Sequence, residues 1–377
     1  MPERPTVLRV GLVGCGVIGR THAEVVAALP RLELVAAIDA RPESALAVAE
    51  QLESLGAPRP LIAGSLAEAL AATELDLVVV ATPSGLHVGA ALEALDAGCH
   101  VLIEKPVDVD LPRARGLAEA ADAARSRGLH AAVISQHRLD PASVAVDDAV
   151  RAGRLGRLTS AVASVPWWRS DEYYASAGWR GSWALDGGGA LMNQGVHTLD
   201  LLIAVLGEPV RVTAEIARLA HDGIEVEDTA VATIVFAGGA LAALHATTAA
   251  HPGGRTRLLV CGTAGTAVIE GDELVRLQLA DDAPAPESVD PAEGLPLEWA
   301  RGHARQYLDL IDAIDGGHDP AVTVADAVLV LATARAVYLA AALGRGVAVA
   351  DVLAGAHDEV DVAAALDRTR TPEEGTA

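Results

Sequence analysis

Short apolar runs alternate with amphipathic stretches along the first 135 residues. Leu8–Val13, Leu32–Ile38, Leu75–Ala81, Val101–Ile103 and His130–Ser135 are largely apolar runs of strand length. Between them, Thr21–Leu29, Pro42–Leu55, Leu86–Ala97 and Leu111–Arg127 carry their apolar residues at helical spacing. Strands alternating with helices predict an α/β domain with a doubly wound parallel sheet, because each parallel crossover needs a helix. After Ser135 the pattern changes. A helix at Pro141–Ala152, a strand at Leu158–Val165 and an irregular aromatic stretch, Trp167 to Gly188, lead to a helix at Ala190–Leu206. Val210–Leu219, Thr229–Phe236, Leu241–Thr247, Arg257–Cys261 and Ala267–Glu270 then read as strands with no helix between them. That order predicts an α+β domain with a mainly antiparallel open sheet. Asp281–Gly294 reads as an exposed loop, and helices at His303–Asp315 and Val324–Leu343 close the chain. The expected division is residues 1–135, residues 136–367 and a frayed tail over 368–377.

Composition narrows the function classes. A chain of 377 residues that is 51% hydrophobic has enough apolar material for two cores. Its net charge of −23 repels nucleic acid and anionic lipid, so neither is expected as a partner. Cys15, Cys99 and Cys261 are widely spaced and form neither a disulfide framework nor a zinc pattern, so no metal is expected. The N-terminal apolar run is too short for a secretory core, and a cytoplasmic location is expected. Charged residues interrupt the apolar stretch after Ala325, which reads as a buried or subunit-facing helix.

Gly14, Cys15, Gly16, Val17, Ile18 and Gly19 match GxGxxG between a predicted strand and a predicted helix. Gly14 suits the tight turn, Gly16 a close backbone approach to a pyrophosphate, and Gly19 close helix–strand packing. Asp39 lies about twenty residues on, at the end of the second strand, where a carboxylate meets the adenosine ribose hydroxyls. It favours NAD by repelling a 2′-phosphate. Arg41, just past Ala40, keeps NADP open, because its guanidinium can lie over the adenine or pair with that phosphate. Two further loops follow strand ends, where a doubly wound sheet binds its ligands, and give further expected cofactor contacts: Thr82, Pro83, Ser84 and His87 in one, with Ser84 a candidate helix cap, and Glu104 with Lys105 in the other.

The segments GCGVIG, ATPSGLHVGAALEALDAGCHVLIEKP, RAGRLGRLTS and GGGALMNQGVHTLDLL resemble the glucose-fructose oxidoreductase and inositol dehydrogenase family, Gfo/Idh/MocA. The resemblance covers nearly the whole chain. It implies an N-terminal Rossmann domain, a nicotinamide dinucleotide, and a catalytic pair, Lys105 and His197, that meets at the nicotinamide and the reacting carbinol. Oxidising a secondary alcohol requires a base for the hydroxyl proton and a cation for the developing alkoxide, which suits His197 and Lys105 respectively. Asn193, His197 and Asp200 are spaced to share one side of their helix. Many members of the family carry aspartate where this chain has Asn193. An amide orients the imidazole or a hydroxyl but does not raise proton affinity by charge, so His197 either acts alone or shares the role of base with Lys105.

The aromatic stretch holds Tyr173, Tyr174, Trp179, Arg180 and Trp183, a composition suited equally to a carbohydrate site and to an interface. Lys105, Arg138, Tyr174, Trp179, Arg180, Asn193 and His197 are the expected substrate contacts. The expected activity is hydride transfer between NAD and a secondary alcohol of a cyclitol, sugar or sugar derivative. Two alternatives stand beside it: NAD-assisted glycoside cleavage by transient oxidation and elimination, and a cofactor-sensing protein without turnover. A homodimer or homotetramer is expected, since a sheet covered on one side leaves the other face to pair.

Overall fold

The computed structural model describes residues 7–280 and 289–364, apart from residues 179, 185 and 298. They form two compact units. One comprises the chain up to Leu139 with Asp290–Val328, the other Asp140–Val289 with the chain from Leu329.

The first unit is built on six parallel strands: β1 (Leu8–Val13), β2 (Leu32–Ile38), β3 (Leu61–Ala63), β4 (Leu77–Val80), β5 (His100–Ile103) and β6 (Ala131–Val133). Their order is β3-β2-β1-β4-β5-β6, the Rossmann arrangement. Every residue of β4 is buried, as a central parallel strand with both faces covered requires. Helices α1 (Val17–Ala28), α2 (Pro42–Ser54), α3 (Leu66–Ala72), α4 (His87–Asp96) and α5 (Leu111–Arg125) join the strands. Ser65 and Asp110 cap α3 and α5 through bonds to the N–H groups of Glu68 and Arg113. The strand β3 and helix α3 have no counterpart in the sequence pattern, because three edge residues and a seven-residue helix are too short to establish a period.

Residues Asp290–Val328 follow the second sheet in sequence, and the sequence division assigned them to the second domain. The structure returns them to the first unit, because helix Arg301–Gly316 buries Tyr307 and Leu310 in the core that holds Val10, Leu12 and Leu102. Burying a large apolar side chain stabilises by about 1.5–3 kcal/mol, so this return is strongly anchored. Of the expected loop Asp281–Gly294, residues 281–288 lie outside the described residues. Its end is largely exposed at Val289, Pro291, Glu293 and Gly294, yet fastened: Arg305 donates to both oxygens of Asp290 at 2.8 and 2.7 Å, and Ala292 is fully buried. The tail expected over 368–377 also lies outside the described residues.

The second unit carries eight strands: β7 (Leu158–Pro166), β8 (Pro209–Ala217), β9 (Thr229–Phe236), β10 (Leu241–Thr247), β11 (Arg257–Gly262), β12 (Gly265–Glu270), β13 (Glu273–Leu279) and β14 (Val347–Ala348). Their order is β13-β12-β11-β7-β10-β9-β8-β14, and β7 with β10 is the parallel pair in an otherwise antiparallel sheet. Helices α6 (Pro141–Arg151) and α8 (Val196–Leu206) pack together, with α8 against β7 and β11, while α7 (Asp171–Ala175) is a short turn in the aromatic stretch. Helix Val324–Leu343 is long and apolar enough to cross a membrane, but 72% of its apolar window is buried inside the protein, as in a core helix.

Candidate active site

In a doubly wound sheet, ligands bind beyond the carboxyl ends of the strands where the order reverses, here between β1 and β4. Gly14 leaves β1 at φ +96°, and a Cβ there would sit 2.5 Å from the Ala81 carbonyl oxygen. A Cβ on Gly19 would collide with the Gly14 carbonyl, whereas one on Gly16 would meet nothing within 4 Å. The loop is closed against the protein at two glycines and open at the third. Gly16 also caps α1, whose unpaired N–H groups face outward, and Val17 in that first turn is 77% exposed.

Asp39 is tethered at both oxygens. Cys15 N donates to Oδ2 at 2.9 Å and Arg41 N donates to Oδ1 at 2.9 Å, while the exposed Arg41 guanidinium lies 3.8 Å from Oδ1. Swinging Asp39 aside for a 2′-phosphate would break two charge-assisted bonds of roughly 1.5–3 kcal/mol each. Ala40 is exposed. Burial, and the Asp39 charge after it, push the Cys15 thiol up to about 12, so Cys15 serves by packing rather than as a thiolate. The glycine cradle and the fixed carboxylate fit a dinucleotide.

His87 is buried, with Nδ1 2.8 Å from the Pro106 carbonyl and Nε2 2.8 Å from the Thr82 carbonyl. It therefore ties the loop after β4 to the loop after β5. Burial pushes its imidazole below the usual histidine range. Ser84 begins a short turn, Ser84–Leu86, and does not cap α4, whose N-cap is Leu86 without a side-chain bond. Thr82 Oγ1 is buried with no hydrogen-bond partner among the described residues, and Pro83 is exposed.

Glu104 faces the interior of the first unit. Its Oε1 lies 3.1 Å from His22 Nε2 and 3.4 Å from His303 Nε2, and its Oε2 accepts from Lys105 N at 3.0 Å. His22 Nδ1 in turn lies 2.9 Å from Tyr307 Oη. Burial pushes the Glu104 carboxyl up, but the two imidazoles hold it well below the usual carboxylate range. Burial keeps His22 neutral. One proton arrangement satisfies the set: both imidazoles donate from Nε2 to the carboxylate, and Tyr307 donates to His22 Nδ1. This network fixes the backbone of Lys105 from below. Arg138, also in the first unit, has its guanidinium 3.7 Å from Asp326 Oδ1.

In the second unit the GGG segment runs into a π-helical turn, Ala190–Gly195, that continues as α8. Such turns often mark functional positions. Glu227 holds its start: Oε2 accepts from Gly189 N at 2.9 Å, and Oε1 accepts from Leu191 N at 2.9 Å and from Tyr338 Oη at 3.0 Å. A Cβ on Gly189 would collide with the Glu227 carbonyl. Burial outweighs these donors and pushes the Glu227 carboxyl up to about 7. From Ala190 to Ile203 every residue is buried except Asn193, His197 and Leu201. With the exposed Ala204 further along α8 they make one accessible stripe on the helix, with Asn193 and His197 its polar members. Asp200, grouped with them by spacing, is buried. Asn193 Nδ2 donates to Asp186 Oδ1 at 2.9 Å.

The aromatic stretch packs onto the same helix, Gln194 Nε2 donating to Tyr173 Oη at 3.3 Å. Arg180 and Arg169 place their guanidinium carbons 4.2 and 4.9 Å from the Tyr173 ring centre. Tyr174 Oη lies 2.8 Å from Thr248 Oγ1, and burial pushes its hydroxyl up to about 12. Trp183 meets Tyr338 edge-on, with ring centres 5.3 Å apart. Trp179 lies outside the described residues.

Residues 8–133 match the family model described as oxidoreductase family, NAD-binding Rossmann fold, and residues 144–268 match the Gfo/Idh/MocA C-terminal domain. The chain belongs to the Gfo/Idh/MocA family. It is an NAD-dependent dehydrogenase of that family. It is similar to inositol 2-dehydrogenase of Rhizobium meliloti (strain 1021), 28% identical over 91% of this chain and 99% of the relative. It is also similar to 1,5-anhydro-D-fructose reductase of Ensifer adhaerens, 32% identical over 74% and 82%. Among solved structures, the WlbA dehydrogenase from Bordetella pertussis in complex with NADH and UDP-GlcNAcA has a TM-score of 0.77 and 32% identity, over 91% of this chain and 98% of that one.

Within this family member, the sequence singled out the glycine loop, Asp39, Lys105, Asn193 and His197 as candidates, without their supports. His22, His303 and Tyr307 beneath Lys105, and Asp186 and Glu227 around the π-helical turn, were not singled out. Only His22 carried a local signal, on the buried face of α1 three residues past Gly19.

Proposed function

We propose that the protein transfers a hydride between the nicotinamide of NAD and a secondary alcohol of a cyclitol, sugar or sugar derivative. The observation that carries this reading is the accessible polar pair Asn193 and His197 on a helix whose other residues from Ala190 to Asp200 are buried, in a member of an NAD-binding oxidoreductase family. The Gly14–Gly19 loop and the start of α1 hold the pyrophosphate, and Asp39 accepts from the ribose hydroxyls. When bound, NAD supplies the hydride acceptor. Lys105 steadies negative charge on the substrate oxygen, and His197 takes the hydroxyl proton. Arg138, Tyr174, Trp179, Arg180 and Asn193 contact the substrate. Support for a polyhydroxylated ring comes from the inositol- and anhydrofructose-acting relatives. The tethered Asp39 supports a preference for NAD over NADP.

The test is an NAD-reduction screen of the purified protein over inositols, aldoses, glycosides, uronic acids and nucleotide sugars. Accumulation of NADH with one of these classes is the expected result. Release of a free sugar without net NADH would replace this reading by elimination chemistry, and tight NADH binding without turnover on any class would replace it by a sensing role.

Self-association through the open face of the second sheet belongs to the same reading. Side chains alternate strictly there, with Ala161, Ala163 and Val165 of β7 buried and Ser160, Val162 and Ser164 facing out. The outward residues of β10 and β9 beside them are Leu241, Ala243, His245, Val231, Thr233 and Val235. Charged residues such as Arg211, Glu215 and Arg257 lie on flanking strands, giving an uncharged centre and a polar rim.

A further inference from the structure

Two hydrogen bonds decide which way the amide of Asn193 faces. Asn193 Nδ2 donates to Asp186 Oδ1 at 2.9 Å, and Gly181 N donates to Asp186 Oδ2 at 2.9 Å. Asp186 is 7% exposed and has backbone N–H on one oxygen. An amide's nitrogen and oxygen are ordinarily assigned by inference. Here the neighbour assigns them: both Asp186 oxygens accept, one from Gly181 N and the other from the Asn193 NH2. Asn193 Oδ1 is therefore turned away from Asp186. It belongs to the accessible stripe, four residues before His197, while the positions between them are buried.

We propose that Asp186 is a specificity-determining positioning residue: it fixes Asn193 Oδ1 as a hydrogen-bond acceptor beside His197, selecting substrates with a free hydroxyl next to the reacting carbon. This rests on His197 acting at that carbon, as proposed above. The amide oxygen has two lone pairs, so it accepts a substrate hydroxyl alongside any protein donor. A carbonyl, an ether or a deoxy carbon at the neighbouring position has no proton to offer and leaves the acceptor unmatched. A site built to bond a hydroxyl rejects the analogue that lacks it far more strongly than an apolar pocket separates shapes. With asparagine at 186 the oxygen stays with Gly181 N–H and the NH2 faces Asn193, whose amide turns over to accept from it; Oδ1 no longer faces the stripe and the selection is lost.

The test compares wild type, Asp186→Asn, Asn193→Asp and the reciprocal double variant, using the polyol or sugar oxidised in the NAD-reduction screen and its monodeoxy analogues. Asp186→Asn should lower kcat/KM on the parent substrate on the order of tenfold, the worth of one oriented hydrogen bond, and leave the matching deoxy analogue unchanged. Asn193→Asp should lose at least as much, since it sets two carboxylates against each other. The double variant again pairs one amide with one carboxylate and should recover to within a few-fold. A merely structural role would lower kcat equally on every substrate with KM unchanged. NADH affinity, read by fluorescence, should stay constant throughout, because the glycine loop is untouched. Equal kcat/KM in wild type and Asp186→Asn on the parent substrate, or equal losses on parent and deoxy substrates, would overturn the inference alone. No turnover by wild type on any class would instead remove the functional reading beneath it. Should Asp186→Asn fail to fold, the double variant decides: retained discrimination against the deoxy analogue supports the assignment and its loss overturns it.

Discussion

Replacing Glu104 tests whether the buried network under Lys105 is a hydrogen-bond system with a movable set of protons. In the native arrangement three N–H groups converge on one carboxylate, from His22, His303 and the Lys105 backbone. Glu104→Gln keeps the shape and replaces one oxygen by a donor. If its oxygen stayed with the imidazoles, its NH2 would face the Lys105 N–H, donor against donor. The amide can turn over instead, giving its oxygen to Lys105 N and its NH2 to the two Nε2 atoms. Both histidines then shift to the other tautomer, and His22 Nδ1 donates to Tyr307 Oη, which can accept. Every bond at residue 104 stays made, while the buried Tyr307 hydroxyl proton gives up its acceptor, so the loss is the charge assistance and one hydroxyl bond, about 2–3 kcal/mol. For a unit of this size that lowers the melting temperature by roughly 4–12 °C. Glu104→Leu leaves three buried donors without an acceptor, at about 1–3 kcal/mol each, a large part of a total stability of about 5–15 kcal/mol. Calorimetric melting of both variants, with NADH fluorescence to confirm the glycine loop, measures the difference. If the glutamine variant melts as low as the leucine variant, or the leucine variant melts with wild type, the proton arrangement is wrong.

Asp39→Ala should weaken NADH binding more than NADPH binding and so narrow the gap between them, read by fluorescence titration; tighter NADPH binding by the unmodified protein would contradict the assignment. Lys105→Met and His197→Ala should each cut turnover on the order of a hundredfold with NADH affinity nearly intact, and steady-state kinetics on the screened substrate check this. Stability should depend on pH in opposite directions in the two units. Burial holds His22, His87, His100 and His130 below 6.5, His100 at about 4, so the unfolded chain binds more protons and the first unit loses stability as pH falls from 6.5. Burial raises Glu227 from 4.5 to about 7, so the second unit loses that contribution as pH rises through 7, and denaturant melts at pH 5, 6 and 8 resolve the two trends. Val231→Lys on the open sheet face should yield a monomer in light scattering, with the fold and NADH binding preserved.

What was legible in the sequence is chemistry carried on neighbouring residues. The glycine loop and the Glu104-Lys105-Pro106 segment are contiguous, and the alternation of strands and helices is a local period, so the Rossmann sheet and its cofactor end could be read directly. Direction was not legible. Glu104, on the loop after β5, and His87, at the start of α4, were expected to face the ligand, yet both turn inward, one toward two histidines and the other toward two carbonyls. The partners of Glu104 come from helices far away along the chain, as Tyr307 does for His22, and no spacing rule spans that distance. The strand β13 alternates apolar and polar residues but lies at a sheet edge before a stretch of Pro, Asp and Glu, which masked it.

The Asn193 position shows most clearly what separates the two levels. Read by spacing, asparagine there is the loss of a carboxylate one turn from His197, and restoring it by Asn193→Asp should raise the affinity of the histidine for its proton. The structure places a carboxylate there already, on Asp186 in the stretch that the periodicity left irregular. An added aspartate would face it at hydrogen-bond distance, and two carboxylates so placed do not both ionise. One would keep a proton, the histidine would gain little, and the amide oxygen that now faces the accessible stripe would be lost. Asn193 is thus not a weakened aspartate. The carboxylate sits seven residues earlier in the chain, behind the amide, and the amide presents an oriented neutral acceptor in its place.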